Sequence, residues 1–145
     1  MKLHRFIAVC LLAVGLGACS SEAVSHDASQ IPEKARQTIS QNFTSAISVV
    51  KTEKDMGRID EYEVVLTDGT EIEFEANADW KNINTPNNIA IPSGLIPTAI
   101  AGYVAEKHAG ALIVGIEKEK KGYDVELSNG VDIQFDLQGN FVKYD

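Results

Sequence analysis

The sequence predicts an α+β domain: a tandem repeat of a helix plus a four-stranded antiparallel meander, with the helices on one face of the sheet and the other face open. Three observations predict it. A segment recurs within the chain, a helical apolar period opens each copy, and apolar and polar residues alternate through the rest. The repeat is the plainest of the three. Tyr62 to Glu75 (YEVVLTDGTEIEFE) aligns without a gap with Tyr123 to Asp136 (YDVELSNGVDIQFD) at an offset of 61. Upstream, Ile31-Pro32 and Ile96-Pro97 match at an offset of 65, as do Ala46-Ile47 and Ala111-Leu112. The difference of four falls in one loop, residues 55–61 in the first copy against Lys120-Lys121-Gly122 in the second. The two units are 31–83 and 96–145, joined by a Pro- and Asn-rich connection at 84–95. A unit of this size has little core of its own, so both are expected to share one domain over 31–145.

The N-terminus reads as an export signal. Lys2 and Arg5 precede the apolar run Phe6 to Val14, which is too short to span a bilayer and has the length of a signal core. Leu16-Gly17-Ala18-Cys19 follows and resembles the lipobox of bacterial lipoproteins. Residues 1–18 are thus expected to be a signal peptide and Cys19 the lipidated residue. Several acyl chains on one residue hold a protein stably at a membrane. Residues 19–30 read as a flexible tether, and Ser20 beside the anchor points to the outer membrane.

Each unit then opens on a helix. Pro32 sits at the first turn, where a missing N–H costs nothing. Ala35, Ile39 and Phe43 form one face, matched by Ile100, Val104 and His108. Strands follow, with Ile47 and Val49 in one copy and Leu112, Val114 and Ile116 in the other as inward residues. The central hairpin can be registered from its side chains. A two-residue Asp68-Gly69 turn would put Leu66 and Glu71 on one face. A three-residue loop pairs Leu66 with Thr70 and Val64 with Ile72, burying Val64, Ile72 and Phe74 together, with Gly69 in a left-handed conformation. Leu127, Val125, Val131 and Ile133 repeat the arrangement. A last short strand holds Trp80 in one copy and Phe141 in the other, and both rings are expected in the core.

This order of residues resembles a known family. The pattern Ile-Pro, helix, Ala-x-Ile/Leu, Tyr-x-Val-x-Leu-x-x-Gly, x-Ile-x-Phe-Asp/Glu is similar to that of the PepSY-like periplasmic lipoproteins of Bacteroides-type bacteria. The resemblance implies a tandem fold similar to the beta-lactamase inhibitor protein and a binding or inhibitory role in the envelope. It covers nearly all of 31–145. Its motif positions are core and turn residues, so it implies no catalytic residue. Ala78-Asp79, standing where the second copy has Gly139-Asn140, is a minor departure.

Charge narrows the function. Of 13 basic and 21 acidic residues, the signal removes Lys2 and Arg5, leaving 11 basic residues and a formal charge of −10. Nucleic acid is excluded as a partner, since its binding proteins need basic patches, and the membrane is met through the lipid anchor only. Cys10 leaves with the signal and Cys19 is lipidated, so neither disulfide nor thiol nucleophile is expected. His26 and His108 lack the neighbours of a zinc site. No nucleophile elbow, phosphate loop or dinucleotide motif occurs. The chain is expected to be no enzyme, with no cofactor, no metal and no catalytic residue.

What remains is the face the helices leave bare. Strand alternation sends Glu63, Glu71, Glu73, Glu75, Asp124, Glu126, Asp132 and Asp136 there. One reading is a solvated surface that keeps an open sheet soluble. The other is a docking surface for a basic envelope protein or peptide, with a small-ligand or divalent-cation binding protein as the alternative.

Overall fold

The computed structural model describes residues 20–145. The expected signal peptide and Cys19 lie outside the described residues. The elements run β1 (Ser20–Ser25), a 3-10 turn (Ala28–Gln30), α1 (Glu33–Asn42), β2 (Ile47–Asp55), β3 (Arg58–Leu66), β4 (Glu71–Glu75) and β5 (Trp80–Asn84). A second 3-10 turn (Ser93–Leu95) leads into α2 (Thr98–Lys107), β6 (Ile113–Glu119), β7 (Gly122–Leu127), β8 (Asp132–Asp136) and β9 (Phe141–Tyr144).

This architecture corrects the expected one. The chain does not fold as a tandem of helix-plus-four-strand units. It forms one nine-stranded antiparallel sheet in the order β1 to β9, with two short helices, and is mostly sheet. Two pairings account for the difference. β5 and β6 would each be an edge with unpaired backbone groups; they pair instead, Ile83 opposite Ile116, and the sheet runs on without a break. At the other end, residues 20–30 were expected as a tether. Ser20 to Ser25 instead pair with β2, from Ser20 opposite Asp55 to Ser25 opposite Val50.

The helices form where Pro32 and Pro97 stand at their N-caps, and each covers the sheet with its apolar stripe. Ala35, Ile39, Ile100 and Val104 are buried in one cluster with Val64, Ile72, Phe74, Ile83, Ile116, Val125, Ile133 and Phe135. Phe74 is fully buried. The 84–95 connection is anchored in the same cluster by Ile91 and Leu95.

Both central hairpins take the register their side chains dictate. Val64 lies opposite Ile72 and Val125 opposite Ile133. Leu66 N–H donates to the Thr70 carbonyl at 2.8 Å, and Leu127 N–H to Val131 at 2.9 Å. Gly69 and Gly130 take φ of 89° and 80°, the left-handed conformation the three-residue loop needs. The loop expected over 55–61 is instead a tight hairpin. β2 and β3 extend to Asp55 and Arg58, joined by Met56-Gly57 with both φ positive.

Irregular pairing displaces several strand residues. The register shifts between Ile47 and Val49, and Val50 rather than Val49 is buried in the core. A second shift lies between Ile113 and Gly115. Leu112, expected inward, is exposed, while Ile113 is buried in the core. Further shifts fall between Glu73 and Phe74 and between Gln134 and Phe135. They set Trp80 opposite Phe74 and Phe141 opposite Phe135, both on the helix side. Trp80 packs against the core under the Lys118 ammonium, 3.5 Å from its ring centre. Phe141 is not core: it is 39% exposed and stacks on Tyr103 at 5.2 Å.

Candidate functional site: the open face of the sheet

The face away from the helices is built from rows of residues that stand opposite one another across successive strands. One row runs Glu22, Glu53, Glu61, Glu75 over β1 to β4. The next runs Lys51, Glu63, Glu73, Asn82, Glu117, Asp124, Gln134, Lys143 over β2 to β9. A third holds Val65, Glu71, Asn84, Gly115, Glu126 and Asp132 over β3 to β8. Like charges directly opposite one another destabilise a sheet by a few tenths of a kcal/mol per pair.

Over β2 to β5 lysines intervene. Lys51 Nζ meets Glu63 Oε1 at 2.8 Å, and Lys81 Nζ meets Glu61 Oε2 at 3.1 Å. The register shift between Glu73 and Phe74 leaves Lys81 as the extra residue of β5 and brings it to this face. Glu63 is buried, and hydrogen bonding to it holds the Lys51 ammonium above its ordinary pKa. Glu73 is half-buried, and its carboxyl is pushed up to about 7, first by burial and then by the Glu61 charge.

Over β5 to β8 the face sinks into a cleft of about 630 Å³. Glu71, Asn84, Glu117, Asp124, Glu126 and Asp132 line it, with Thr85, Pro86 and Asn87 as one wall. Gly115 opens its floor. A Cβ there would lie 3.0 Å from the Glu126 Cβ and 3.2 Å from the Asn84 Oδ1. The absent side chain is what leaves room between them.

The expected residues thus fall into three settings. Glu71, Asp124, Glu126 and Asp132 line the cleft. Glu63, Glu73 and Glu75 stand on the lysine-bearing half. Asp136 is drawn into the turn after β8, where it accepts from Gln138 N–H and Asn140 N–H and from the Asn140 side chain; these bonds hold its pKa down. Sequence reasoning missed Glu61, Asn82, Asn84, Gly115 and Glu117. Glu61 falls in the expected 55–61 loop, which is strand β3 here. The other four are revealed only by the registers of β5 and β6, and both strands carry or adjoin an irregular pairing.

His108 ends α2, where its Nε2 lies 3.2 Å from the Tyr144 hydroxyl. His26 Nδ1 bonds the Ser48 carbonyl at 2.8 Å. Among the described residues no helix is long and apolar enough to cross a membrane.

The profile of the family described as "Putative beta-lactamase-inhibitor-like, PepSY-like" matches residues 60–143, more than half of the chain. The chain belongs to this PepSY-like family. Solved structures from Bacteroides share the fold. A "putative periplasmic protein of unknown function" from Bacteroides vulgatus ATCC 8482 is 35% identical, with a TM-score of 0.79 over 86% of this chain and 99% of that one. A "putative calcium-regulated periplasmic protein" from Bacteroides thetaiotaomicron is 33% identical, with a TM-score of 0.77 over 86% and 96%. A third, from Bacteroides vulgatus ATCC 8482, is 31% identical, with a TM-score of 0.75 over 88% and 97%. No curated protein matches. These solved relatives are described as periplasmic, which supports an envelope location for this PepSY-like protein.

Proposed function

We propose that this PepSY-like protein is a non-catalytic binding protein of the cell envelope, tethered by lipid on Cys19, which docks a basic protein or peptide on the open face of its sheet. One observation carries the reading. The cleft at Gly115 is a concavity of about 630 Å³ whose lining joins carboxylates and amides to Pro86 and apolar strand residues, on the face that the helices leave bare. A cationic side chain entering it would meet carboxylates from β4, β6, β7 and β8 at once, which steers encounter and sets register more than it adds raw affinity. Among the described residues the face has no aromatic anchor, since Trp80 and Phe141 both lie on the helix side, so specificity rests on charge and shape.

The test is site-specific crosslinking in native membranes. A photoreactive group at Asn84, inside the cleft, is expected to capture a protein that the same group at Lys34, on α1, does not. Equal capture from both positions counts against the cleft. Replacing Glu71, Glu126 and Asp132 with their amides should then weaken the captured complex and flatten its salt dependence. The anchor has its own test. Cys19→Ser should abolish labelling by an alkyne fatty acid, and an unlabelled wild type would remove the tether from the proposal.

A second reading has one observation in its favour, the relative described as calcium-regulated. A divalent cation on the same acidic face would suit hard oxygen ligands. Among the described residues, however, no group of three or more His, Cys, Asp or Glu is disposed to hold a metal ion. The docking reading is therefore preferred.

A further inference from the structure

The lysine-bearing half of the open face contains more carboxylates than its cations pair with. Glu63 stands directly opposite Glu73, and on the far side Glu73 stands opposite Asn82. The ammonium of Lys51 is engaged by Glu63 at 2.8 Å, and that of Lys81 by Glu61 at 3.1 Å. Glu73 is thus the third carboxylate in a patch whose two ammonium groups each bind another. It is half-buried, and its own hydrogen-bonding neighbour is the neutral amide of Asn82.

The surroundings on every side reinforce this. From β1 and β2 come Glu22 and Glu53, which face each other in the row beside it. β3 supplies Glu61 and Glu63, and its own strand adds Glu71 and Glu75. β5 supplies Lys81, and Glu117 of β6 lies beyond Asn82. Apart from Lys51 and Lys81, every charged group named here is a carboxylate. A half-buried carboxylate among others is harder to ionise, because burial and like charge both penalise the anion.

We propose that Glu73 is the proton switch of this face, neutral in acidic surroundings and charged in alkaline ones, so that the charge at the centre of the sheet follows the pH of the envelope. The position of its carboxyl, pushed up to about 7 chiefly by burial, places the change where envelope pH varies. Folding is linked to it with a definite sign. A carboxyl raised in the folded state contributes stability that is present at acid pH and is lost as pH rises through about 7. Ionisation also adds one negative charge to the surface. The effect on docking rests on the function proposed above; the titration does not.

The experiment follows the glutamate side-chain carbons of the full-length processed protein in detergent micelles by NMR, with Glu73→Gln to assign the signal. A Glu73 midpoint at or above about 6 is expected, and one below it, toward the ordinary glutamate range, overturns the proposal. Glu61→Gln should lower the midpoint and Lys81→Met should raise it. A midpoint indifferent to both would show that the patch is not coupled, and would overturn the charge argument. Glu73→Gln should also reduce the decline in denaturation midpoint between pH 5 and 8, the remainder coming from Glu53, whose carboxyl burial and the Glu61 charge also push up; an undiminished decline would overturn the proposal. For docking, the probe is a fluorescent oligolysine peptide at low ionic strength. Its affinity should rise about fivefold across the same range in the wild type and stay level in Glu73→Gln. A Glu73 that titrates while oligolysine affinity stays level overturns the docking reading and the regulation built on it, and leaves the titration standing.

Discussion

Gly115 lies opposite Glu126 in the β6–β7 pair, at the floor of the cleft on the open face. Glycine in a strand interior weakens the strand by about 0.5–1 kcal/mol relative to alanine. A Cβ here would meet Glu126 Cβ at 3.0 Å, so the usual gain is offset by crowding. Gly115→Ala is expected to change stability by less than about 1 kcal/mol. Gly115→Leu should fill the cleft and lower affinity for a captured partner by about tenfold or more. Chemical denaturation and titration of the partner check the two effects separately. Unaltered affinity in Gly115→Leu would place the contact elsewhere.

Phe74 and Phe141 provide a contrast in burial. Phe74 is fully buried, and its truncation to Ala is expected to cost about 3–5 kcal/mol. Phe141 is 39% exposed and keeps one face on Tyr103. Phe141→Ala should cost only about 1 kcal/mol. Equilibrium unfolding in urea measures both, and equal losses would mean that Phe141 is as deeply packed as Phe74.

The Lys51–Glu63 pair should respond unevenly to single and double changes. Lys51→Met leaves Glu63 buried without its cation, at an expected cost of about 2 kcal/mol. Adding Glu63→Leu removes the stranded charge and should restore most of that loss. A double-mutant cycle gives the coupling directly. The raised pKa of Lys51 has its own sign: its contribution persists through neutral pH and is lost only as pH climbs past the ordinary lysine value of 10.5.

Met56 sits in the left-handed region with φ of 48°, at the tip of the β2–β3 hairpin. A side chain with a Cβ is strained there, and Asn tolerates it best among the non-glycine residues. Met56→Asn is expected to stabilise the protein by about 0.5–1 kcal/mol, seen as a higher denaturation midpoint with an unchanged slope.

The pairing of Val64 with Ile72 and of Val125 with Ile133 was legible in the sequence because period-two alternation and one loop glycine admit a single register. The buried stripe Ala35–Ile39 was legible for the same kind of reason, a period of 3.6. What stayed hidden depends on single extra residues. The irregularity between Ile113 and Gly115 turns Gly115 to the cleft and Ile113 to the core, and nothing in the local pattern of residues 111–117 marks it. Trp80 and Lys81 are placed by a similar shift. The pairing of β5 with β6 and of β1 with β2 joins strands that were legible, β2 and β6, to two, SSEAVS and WKNIN, whose sequences carry little strand pattern. Backbone satisfaction at the sheet edges favours those contacts, and at β5–β6 the buried Ile83–Ile116 pair adds to it. Of the acidic face, the residues on regular strands could be named in advance, while the cleft that organises them could not.

The strict β1-to-β9 order has a kinetic consequence. Each strand pairs with the strands next to it in the chain, and most partners are joined by tight turns. The longest closure is that between β5 and β6, across α2. Contacts that are local in sequence cost little loop entropy to form, so the sheet can grow hairpin by hairpin from whichever end of the chain is available first. A chain delivered N-terminus first through a narrow opening can therefore begin ordering before its last strands arrive, with the β5–β6 closure as the contact that joins the second half to the first.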